Sequence, residues 1–242
     1  GTLNGSRFLG FHMIDIFTNM QVVLATYHLP VNMIIGTVTI LLVYLLVGGR
    51  SYCAWVCPYG IISEISEKLN NILVKKKIIK KRSFDYRVKY VFWVAFLVMA
   101  ATSGYLVFET FNVVGILSRM IVYGWSLAFL WVVAVFLIET FYSRRAWCSY
   151  VCPIGTTYGM IGKASALRIE WNDSCDHCMV CHDVCFANQV LEITKAKYDK
   201  QREEKAITRE YITGADCTLC GRCIDVCHED ALGFDFRLKG LV

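Results

Sequence analysis

Eight cysteines in the last third of the chain restrict what these 242 residues can fold into more than any other feature. They form two runs of identical spacing, Cys-x2-Cys-x2-Cys-x3-Cys, at 175–185 and at 217–227. Three closely spaced thiolates can wrap one iron–sulfur cubane, and the fourth cysteine of each run then reaches the other cubane. The spacing predicts two [4Fe–4S] clusters with the following ligand sets: Cys175, Cys178, Cys181 and Cys227 for one, and Cys217, Cys220, Cys223 and Cys185 for the other.

Two other metal chemistries use similar cysteine spacings. Paired Cys-x2-Cys units make tetrahedral zinc sites, but zinc leaves the regular order of the two runs unexplained. The segment from Cys178 to His182 also matches the Cys-x-x-Cys-His pattern of covalent haem attachment. Thioether bonds at Cys178 and Cys181 would remove two ligands from a cubane, so iron–sulfur ligation is the favoured interpretation.

The remaining four cysteines lie in an internal repeat. Cys53 and Cys57 occur in RSYCAWVCPYG, and Cys148 and Cys152 occur in RAWCSYVCPIG. Cysteines at i and i+4 share one face of a helix, and the proline that follows allows a new helix to begin. Two such copies could converge into a four-thiolate site, so a third iron–sulfur or metal centre is the leading interpretation. Thiol–disulfide redox chemistry and inert buried thiols remain open alternatives.

Three windows without any Asp, Glu, Lys or Arg cover residues 31–49, 90–108 and 120–138. As helices they would reach about 28 Å, close to the hydrocarbon thickness of a bilayer. The chain is 56% hydrophobic, which excludes a disordered tail or a nucleic-acid-binding tail. We therefore predict an α-helical membrane protein with transmembrane helices at 31–48, 88–108 and 120–141, in contact with membrane lipid. Residues 1–162 form this domain, and residues 163–242 form an α+β ferredoxin-like domain with two [4Fe–4S] clusters.

The charges predict an orientation for these helices. Residues 1–162 hold 14 Lys and Arg against six acidic residues, whereas residues 163–242 hold 11 against 14. The segment 50–89 carries ten Lys and Arg, and the segment 109–119 carries one. Because Lys and Arg in short loops remain on the cytoplasmic side, we predict a multi-pass protein of the bacterial inner membrane. Its ferredoxin-like domain and both Cys-Pro segments would face the cytoplasm.

Four polar residues are candidates for a quinol site on the opposite side: Asp15, His28, Glu109 and Arg119. A histidine–carboxylate pair can accept protons and can bind the hydroxyl groups of a quinol. Ordinary interfacial polar residues are the simpler alternative for each of them. The predicted spans contain no histidine, which disfavours a haem held by two histidines between them.

In its motifs the chain resembles the NapH family, the ferredoxin-type membrane subunits of quinol dehydrogenases in periplasmic nitrate-reductase systems. The motifs that carry this resemblance are GGRSYCAWVCPYG, RRAWCSYVCPIGTTYG, CDHCMVCHDVC and CTLCGRCIDVC. The resemblance implies four transmembrane helices with both termini in the cytoplasm, so we expect a first helix before Gly1. It also implies oxidation of menaquinol or ubiquinol. The resemblance implies a periplasmic iron–sulfur partner subunit of the NapG type. Together with this partner, the chain would deliver the electrons toward a c-type cytochrome or a periplasmic reductase.

The function predicted from sequence is therefore that of a quinol dehydrogenase subunit that passes electrons through iron–sulfur clusters and works together with a partner subunit. The chain also resembles the membrane part of the NosR type, which belongs to nitrous oxide respiration. Nitrate respiration and nitrous oxide respiration therefore both stay open as the pathway that receives the electrons. The rival interpretation is a biogenesis factor that supplies electrons or thiol chemistry to a metalloenzyme. A purely structural anchor for an electron-transfer complex is a third.

Overall fold

The computed structural model describes residues 5–8, 11–28, 31–79, 85–195 and 209–236. The chain divides into two compact units. The first comprises Gly1–Val43 and Val56–Thr157, and the second comprises Tyr44–Trp55 and Tyr158–Val242. The second unit is therefore assembled from two separate stretches of the sequence.

The first unit begins with a short antiparallel hairpin of β1 (Gly5–Phe8) and β2 (Phe11–Ile14). Asp15 follows and caps helix α1 (Ile16–Thr26), where its carboxylate accepts hydrogen bonds from the backbone N–H groups of Phe17 and Thr18 at 3.1 and 3.2 Å. A carboxylate at this position satisfies backbone donors that a helix start leaves without partners.

Helices make up most of the chain that follows. Their bounds are α2 (Val31–Val47), α3 (Ser51–Trp55), α4 (Pro58–Lys75), α5 (Val88–Ser103), α6 (Val107–Phe111), α7 (Val113–Tyr123), α8 (Phe129–Phe141), a π-helical turn (Trp147–Val151) and α9 (Pro153–Gly162). Within the first unit α4 packs on α7 and α8, and α1 packs on α5. Buried polar contacts join α4 to α8, since the Asn70 amide donates to the Thr140 carbonyl at 2.7 Å.

The predicted transmembrane helices are wrong. Over the ranges that the structure describes, none of the helices has the length and apolar character needed to cross a bilayer. Helix α2 has 17 residues and α5 has 16, so at 1.5 Å per residue neither exceeds about 26 Å. The membrane fold class and the multi-pass inner-membrane location depended on these spans, and both are corrected with them.

Two glycines explain where the charge-free windows break. Helix α5 ends at Ser103 because Gly104 adopts a left-handed conformation with φ of 68°. The predicted third span is interrupted, since α7 ends at Tyr123, Gly124 has φ of 90°, and α8 begins only at Phe129. Glycine reaches positive φ without steric cost and so ends helices that an absence of charge alone would extend.

The second unit is built on a three-stranded antiparallel sheet. Strand β3 (Leu167–Asn172) lies in the centre, between β4 (Arg209–Tyr211) and β5 (Leu232–Phe236). Besides α3, this unit contains α10 (Val180–Val184), a 3-10 helix (Asn188–Thr194) and α11 (Arg222–Asp225). Trp171, Ile169 and Leu191 are almost fully buried at the centre of its core.

The stretch Tyr44–Trp55 belongs to this second unit through close backbone packing. The N–H of Ala166 donates to the carbonyl of Leu45 at 2.8 Å. A Cβ added at Gly49 would lie 1.9 Å from the carbonyl oxygen of Tyr158, so only glycine fits there. Gly48 has φ of 106°, and a Cβ there would lie 2.1 Å from the Leu219 side chain. The Gly48-Gly49 pair is thus required by the packing of this segment.

Candidate functional site

The two cysteine runs of the second unit adopt matching backbone conformations. In each run the second residue after the first cysteine has positive φ, His177 at 58° and Leu219 at 53°. The residue two positions before the third cysteine is also left-handed, Met179 at 62° and Gly221 at 79°. Alternating left-handed residues turn successive N–H groups toward one concave side, a geometry found at many phosphate and iron–sulfur sites. Both runs therefore share a fold suited to an anionic group.

Cys181 lies in α10 and is buried in the core of the second unit. Burial raises the pKa of its thiol, and the nearby thiols of Cys175, Cys178 and Cys227 raise it further. The Thr194 hydroxyl lies 3.8 Å from the Cys181 sulfur, and this hydrogen bond lowers the pKa of the thiol. The three cysteines that influence Cys181 are the other members of its predicted ligand set.

Cys223 lies in α11 and occupies the corresponding position in the second run. Burial raises the pKa of this thiol, followed by the charges of Cys217, Cys185, Cys220 and Cys181. A cavity is lined by all four cysteines of the second predicted set, together with apolar side chains such as Ile169 and Leu191. The structure thus brings Cys185 to the other run, and the effect of Cys181 on Cys223 indicates that the two groups are neighbours.

The donor chemistry of these eight residues fits iron–sulfur ligation. Burial raises the pKa of Cys217 to about 11, so without a metal this thiol stays protonated at neutral pH. Iron compensates the charge of a thiolate, so that ligation releases the proton and stabilises the folded unit. Among the described residues no three His, Cys, Asp or Glu side chains form a group that could hold a single metal ion. A cubane spreads its four ligands over the corners of a larger core.

Two histidines near the first run have local partners. His177 Nδ1 lies 2.8 Å from the carbonyl oxygen of Thr194 and 3.9 Å from the Cys175 sulfur. His182 Nε2 lies 2.9 Å from both the Leu191 carbonyl and the Thr194 hydroxyl, and burial lowers its pKa. Thr194 is thus in contact with both histidines and with the first predicted ligand set.

A buried ion pair supports the second run, and the sequence pattern did not reveal it. The Arg50 guanidinium donates to the Asp216 carboxylate at 2.7 Å, and the Gln189 amide donates to the other Asp216 oxygen at 3.0 Å. Asp216 directly precedes Cys217. The Trp55 indole N–H also donates to the carbonyl of Leu219 at 3.2 Å. The segment after Gly49 therefore positions the loop between the first two cysteines of this run.

The other four cysteines divide between the two units. Cys53 lies in α3 of the second unit, whereas Cys57, Cys148 and Cys152 belong to the first. Cys57 and Cys152 each precede the proline that opens a helix, α4 and α9. The Cys148 sulfur lies 3.9 Å from the Ser63 hydroxyl. The predicted four-thiolate centre remains a prediction.

A buried carboxyl group lies close to Cys148. Glu139 has no solvent exposure, and its carboxylate accepts hydrogen bonds from the Tyr59 hydroxyl at 2.9 Å and from the Trp147 backbone N–H at 3.1 Å. Burial raises the pKa of Glu139, and a hydrogen bond from Ser63 opposes the rise. Burial and the Glu139 carboxylate also raise the pKa of Tyr59. The sequence gives no sign of this group, because Glu139 follows directly after a charge-free window.

An apolar cavity of about 380 Å³ opens beside Glu139. Its lining residues are Phe92, Phe96, Phe111, Trp131, Val135, Ile138, Glu139, Ala146, Trp147 and Val151. Trp147 is 7% exposed, and its indole Nε1–H has no hydrogen-bond partner. A buried donor without a partner costs about 1–3 kcal/mol.

A second cavity of the first unit, about 490 Å³, contains two of the four predicted quinol-site residues. Glu109 and Arg119 both line it, together with Tyr123, Trp125 and other residues of α6 to α8. Asp15 does not line this cavity and caps the start of α1. Thr18, in the first turn of α1, donates its hydroxyl hydrogen to the Glu109 carboxylate at 3.3 Å. His28 is exposed and does not line this cavity.

Comparison with known proteins identifies the family. A family described as "4Fe-4S binding domain" matches residues 29–81 and 123–172, and one described as "4Fe-4S dicluster domain" matches residues 174–231. The chain is 33% identical to the ferredoxin-type protein NapH of Haemophilus influenzae over 217 residues, which cover 88% of this chain and 72% of that protein. This chain belongs to the NapH family. The NapH of Escherichia coli is 32% identical over the same shares of both chains.

Other relatives of this NapH-type chain carry a different name. The methylamine utilization ferredoxin-type protein MauN of Paracoccus denitrificans is 34% identical over 76% of this chain and 65% of that protein. No solved structure matches. The predicted family is confirmed, and the chain is a ferredoxin-type iron–sulfur protein of the electron-transfer kind.

Proposed function

We propose that this chain is an electron-transfer subunit of a quinol dehydrogenase. It accepts electrons from a menaquinol or ubiquinol and delivers them, through two [4Fe–4S] clusters, to a partner iron–sulfur subunit of the NapG type. A c-type cytochrome or a periplasmic reductase would follow. The arrangement of eight cysteines in two interleaved groups of four carries this proposal, because it supplies ligands for two neighbouring redox centres.

The stoichiometry of a quinol agrees with two such centres. Oxidation of one quinol to the quinone releases two electrons and two protons. When bound, the two clusters supply two one-electron acceptors, which together match the electron pair. The chain itself contributes the burial that keeps water from the inner thiols, and Thr194 and His177 contact the sulfur atoms of the first set at 3.8 and 3.9 Å. Hydrogen bonds of this kind tune the reduction potential of a cluster.

The test is reduction of the purified chain by a quinol under anoxia. We expect about eight iron atoms per chain if the two predicted sets are both filled, and a larger number if Cys53, Cys57, Cys148 and Cys152 hold a third centre. Addition of a menaquinol analogue should bleach the visible absorbance of the clusters. If the clusters are present but neither menaquinol nor ubiquinol analogues reduce them, the quinol dehydrogenase proposal fails and the biogenesis role is favoured.

A further inference from the structure

We propose that His182 is a positioning residue for the first cluster: it turns the Thr194 hydroxyl toward the Cys181 sulfur and so raises the reduction potential of that cluster. The first cluster is the one with the predicted ligands Cys175, Cys178, Cys181 and Cys227. This inference rests on the iron–sulfur ligands of the proposed function but does not depend on a quinol as the electron donor. It also gives a role to the histidine of the Cys-x-x-Cys-His pattern.

The contacts of His182 determine which of its ring nitrogens carries a hydrogen. His182 Nε2 lies 2.9 Å from the carbonyl oxygen of Leu191 and 2.9 Å from the hydroxyl oxygen of Thr194. A carbonyl oxygen can only accept a hydrogen bond, so Nε2 must be the donor. His182 therefore supplies a hydrogen bond to the Leu191 carbonyl, and the Thr194 oxygen lies within reach of the same N–H group.

The Thr194 hydroxyl has one hydrogen and two acceptors within reach. The Leu191 carbonyl oxygen lies 2.8 Å from the hydroxyl oxygen, and the Cys181 sulfur lies 3.8 Å from it. Leu191 and Thr194 are each 1% exposed, so water does not replace a missing partner there. Because His182 already serves the Leu191 carbonyl, the hydroxyl can turn to the sulfur without leaving a buried acceptor unpaired.

A hydrogen bond to this sulfur favours the reduced form of the cluster. A sulfur that ligates iron as a thiolate accepts hydrogen bonds, and its negative charge grows when the cluster gains an electron. The bond from the Thr194 hydroxyl therefore becomes stronger on reduction and raises the reduction potential. His182 does not donate to the Cys181 sulfur in this scheme, and its effect on the cluster passes through Thr194.

The second cysteine run provides an internal comparison. Leu219 occupies the position that His177 has in the first run. Likewise, Ile224 occupies the position of His182. Leucine and isoleucine side chains cannot donate hydrogen bonds. In the first run His177 Nδ1 donates to the Thr194 carbonyl at 2.8 Å, so both histidines contact Thr194. We therefore expect the effect on the reduction potential to be confined to the first cluster.

The test measures the reduction potentials of both clusters in the iron-loaded chain by redox titration under anoxia, with electron paramagnetic resonance as the signal. Thr194→Val removes the hydroxyl and keeps the shape of the side chain. At a fixed applied potential we expect the ratio of reduced to oxidised first cluster to fall roughly 3- to 10-fold. At about 59 mV per tenfold change for one electron, the midpoint of this cluster falls by about 30–60 mV.

Three variants support this measurement. Thr194→Ser keeps the hydroxyl and should restore the parental midpoint. Thr218 is 5% exposed and directly follows Cys217, so Thr218→Val removes a buried hydroxyl of the second run and should leave the first midpoint unchanged. Cys220→Ser keeps all four ligands of the first cluster and thereby identifies which of the two midpoints belongs to it.

A double-mutant cycle tests whether His182 acts through Thr194. His182→Leu removes the N–H donor, so the Thr194 hydroxyl should turn to the Leu191 carbonyl and the first midpoint should fall by a similar amount. The double variant His182→Leu with Thr194→Val should fall no further than Thr194→Val. His182→Gln retains a side-chain donor and should stay close to the parent chain. Ile224→Leu is the control at the matching position of the second run.

The outcomes separate this inference from the proposed function. An unchanged first midpoint in Thr194→Val overturns the inference, as does an equal shift of both clusters. Additive losses in the double variant overturn the positioning role of His182. If Thr194→Val does not retain iron, His182→Leu decides: a parental first midpoint overturns the inference, and a lower one that His182→Gln restores supports it. If quinol leaves the clusters oxidised while Thr194→Val lowers the first midpoint, the quinol function fails and the inference stands. If quinol reduces the clusters while Thr194→Val leaves both midpoints unchanged, the inference alone fails.

Discussion

The buried ion pair between Arg50 and Asp216 allows a quantitative test of how the second unit is held together. The two groups meet at 2.7 Å, and their side chains are 3% and 11% exposed. Asp216→Asn keeps the size of the side chain and removes its charge, so a buried guanidinium loses its opposite charge. Breaking a buried pair in this way costs about 3–5 kcal/mol. With a slope of about 1–3 kcal/mol per molar urea, the urea midpoint should fall by about 1–5 M.

The assay is urea denaturation of the iron-loaded chain under anoxia, followed by cluster absorbance and by far-ultraviolet circular dichroism. Arg209→Gln is the control, because Arg209 meets Glu170 at 3.4 Å with its side chain 74% exposed. An exposed pair contributes about 0–1 kcal/mol. Arg50→Met combined with Asp216→Asn should recover part of the loss, since the guanidinium of Arg50 is then removed together with its opposite charge. A midpoint for Asp216→Asn as high as that of Arg209→Gln would refute the reasoning.

Three further predictions concern single side chains. Gly49→Ala should sharply reduce the iron bound per chain, because its Cβ would lie 1.9 Å from the Tyr158 carbonyl oxygen, whereas Gly233→Ala, with no atom within 4 Å, should leave iron content unchanged. Cys220→Ser should remove about half of the iron that the eight cysteines hold and leave the spectroscopic signal of one cluster; full iron content would show that the ligand sets are misassigned. Burial raises the pKa of Glu139, so its stabilising contribution is complete below its unfolded value of about 4.3 and declines as the pH rises through the folded value. The urea midpoint of Glu139→Gln should therefore rise relative to the midpoint of the parent chain as the pH increases from 4 to 8. A difference between the two midpoints that does not change with pH would contradict this prediction.

Most of what the sequence predicts about the second unit follows from the spacing of its cysteines. Three thiolates at fixed intervals leave few ways to surround one redox centre, and the spacing predicts that Cys185 and Cys227 each serve the cluster of the other run. Arg50 lies 166 residues before Asp216, and no local pattern announces such a pairing. The same holds for the contact between Trp55 and Leu219. Long-range contacts of polar groups leave no periodic signal in the sequence.

The helices of the first unit show why absence of charge is a weak predictor of helix length. Hydrophobic composition predicts that a segment is apolar, but the backbone decides where its hydrogen bonding stops. Gly104 and Gly124 end helices inside windows that look continuous by composition. The role of Glu139 cannot be predicted from sequence, because a single acidic residue beside an apolar segment gives no sign that Tyr59 will donate to it from 80 residues away.

The divided second unit has a consequence for biosynthesis. Arg50 leaves the ribosome 166 residues ahead of Asp216, an interval of roughly 8–33 s at typical rates of translation. During that time the Arg50 side chain lacks its partner Asp216, and Gly48 lacks its contact with Leu219. We expect stable iron insertion only after the carboxyl-terminal segment has emerged, because four of the eight predicted ligands lie in it. Premature truncation anywhere before Asp216 should therefore yield a chain that chaperones retain and proteases remove.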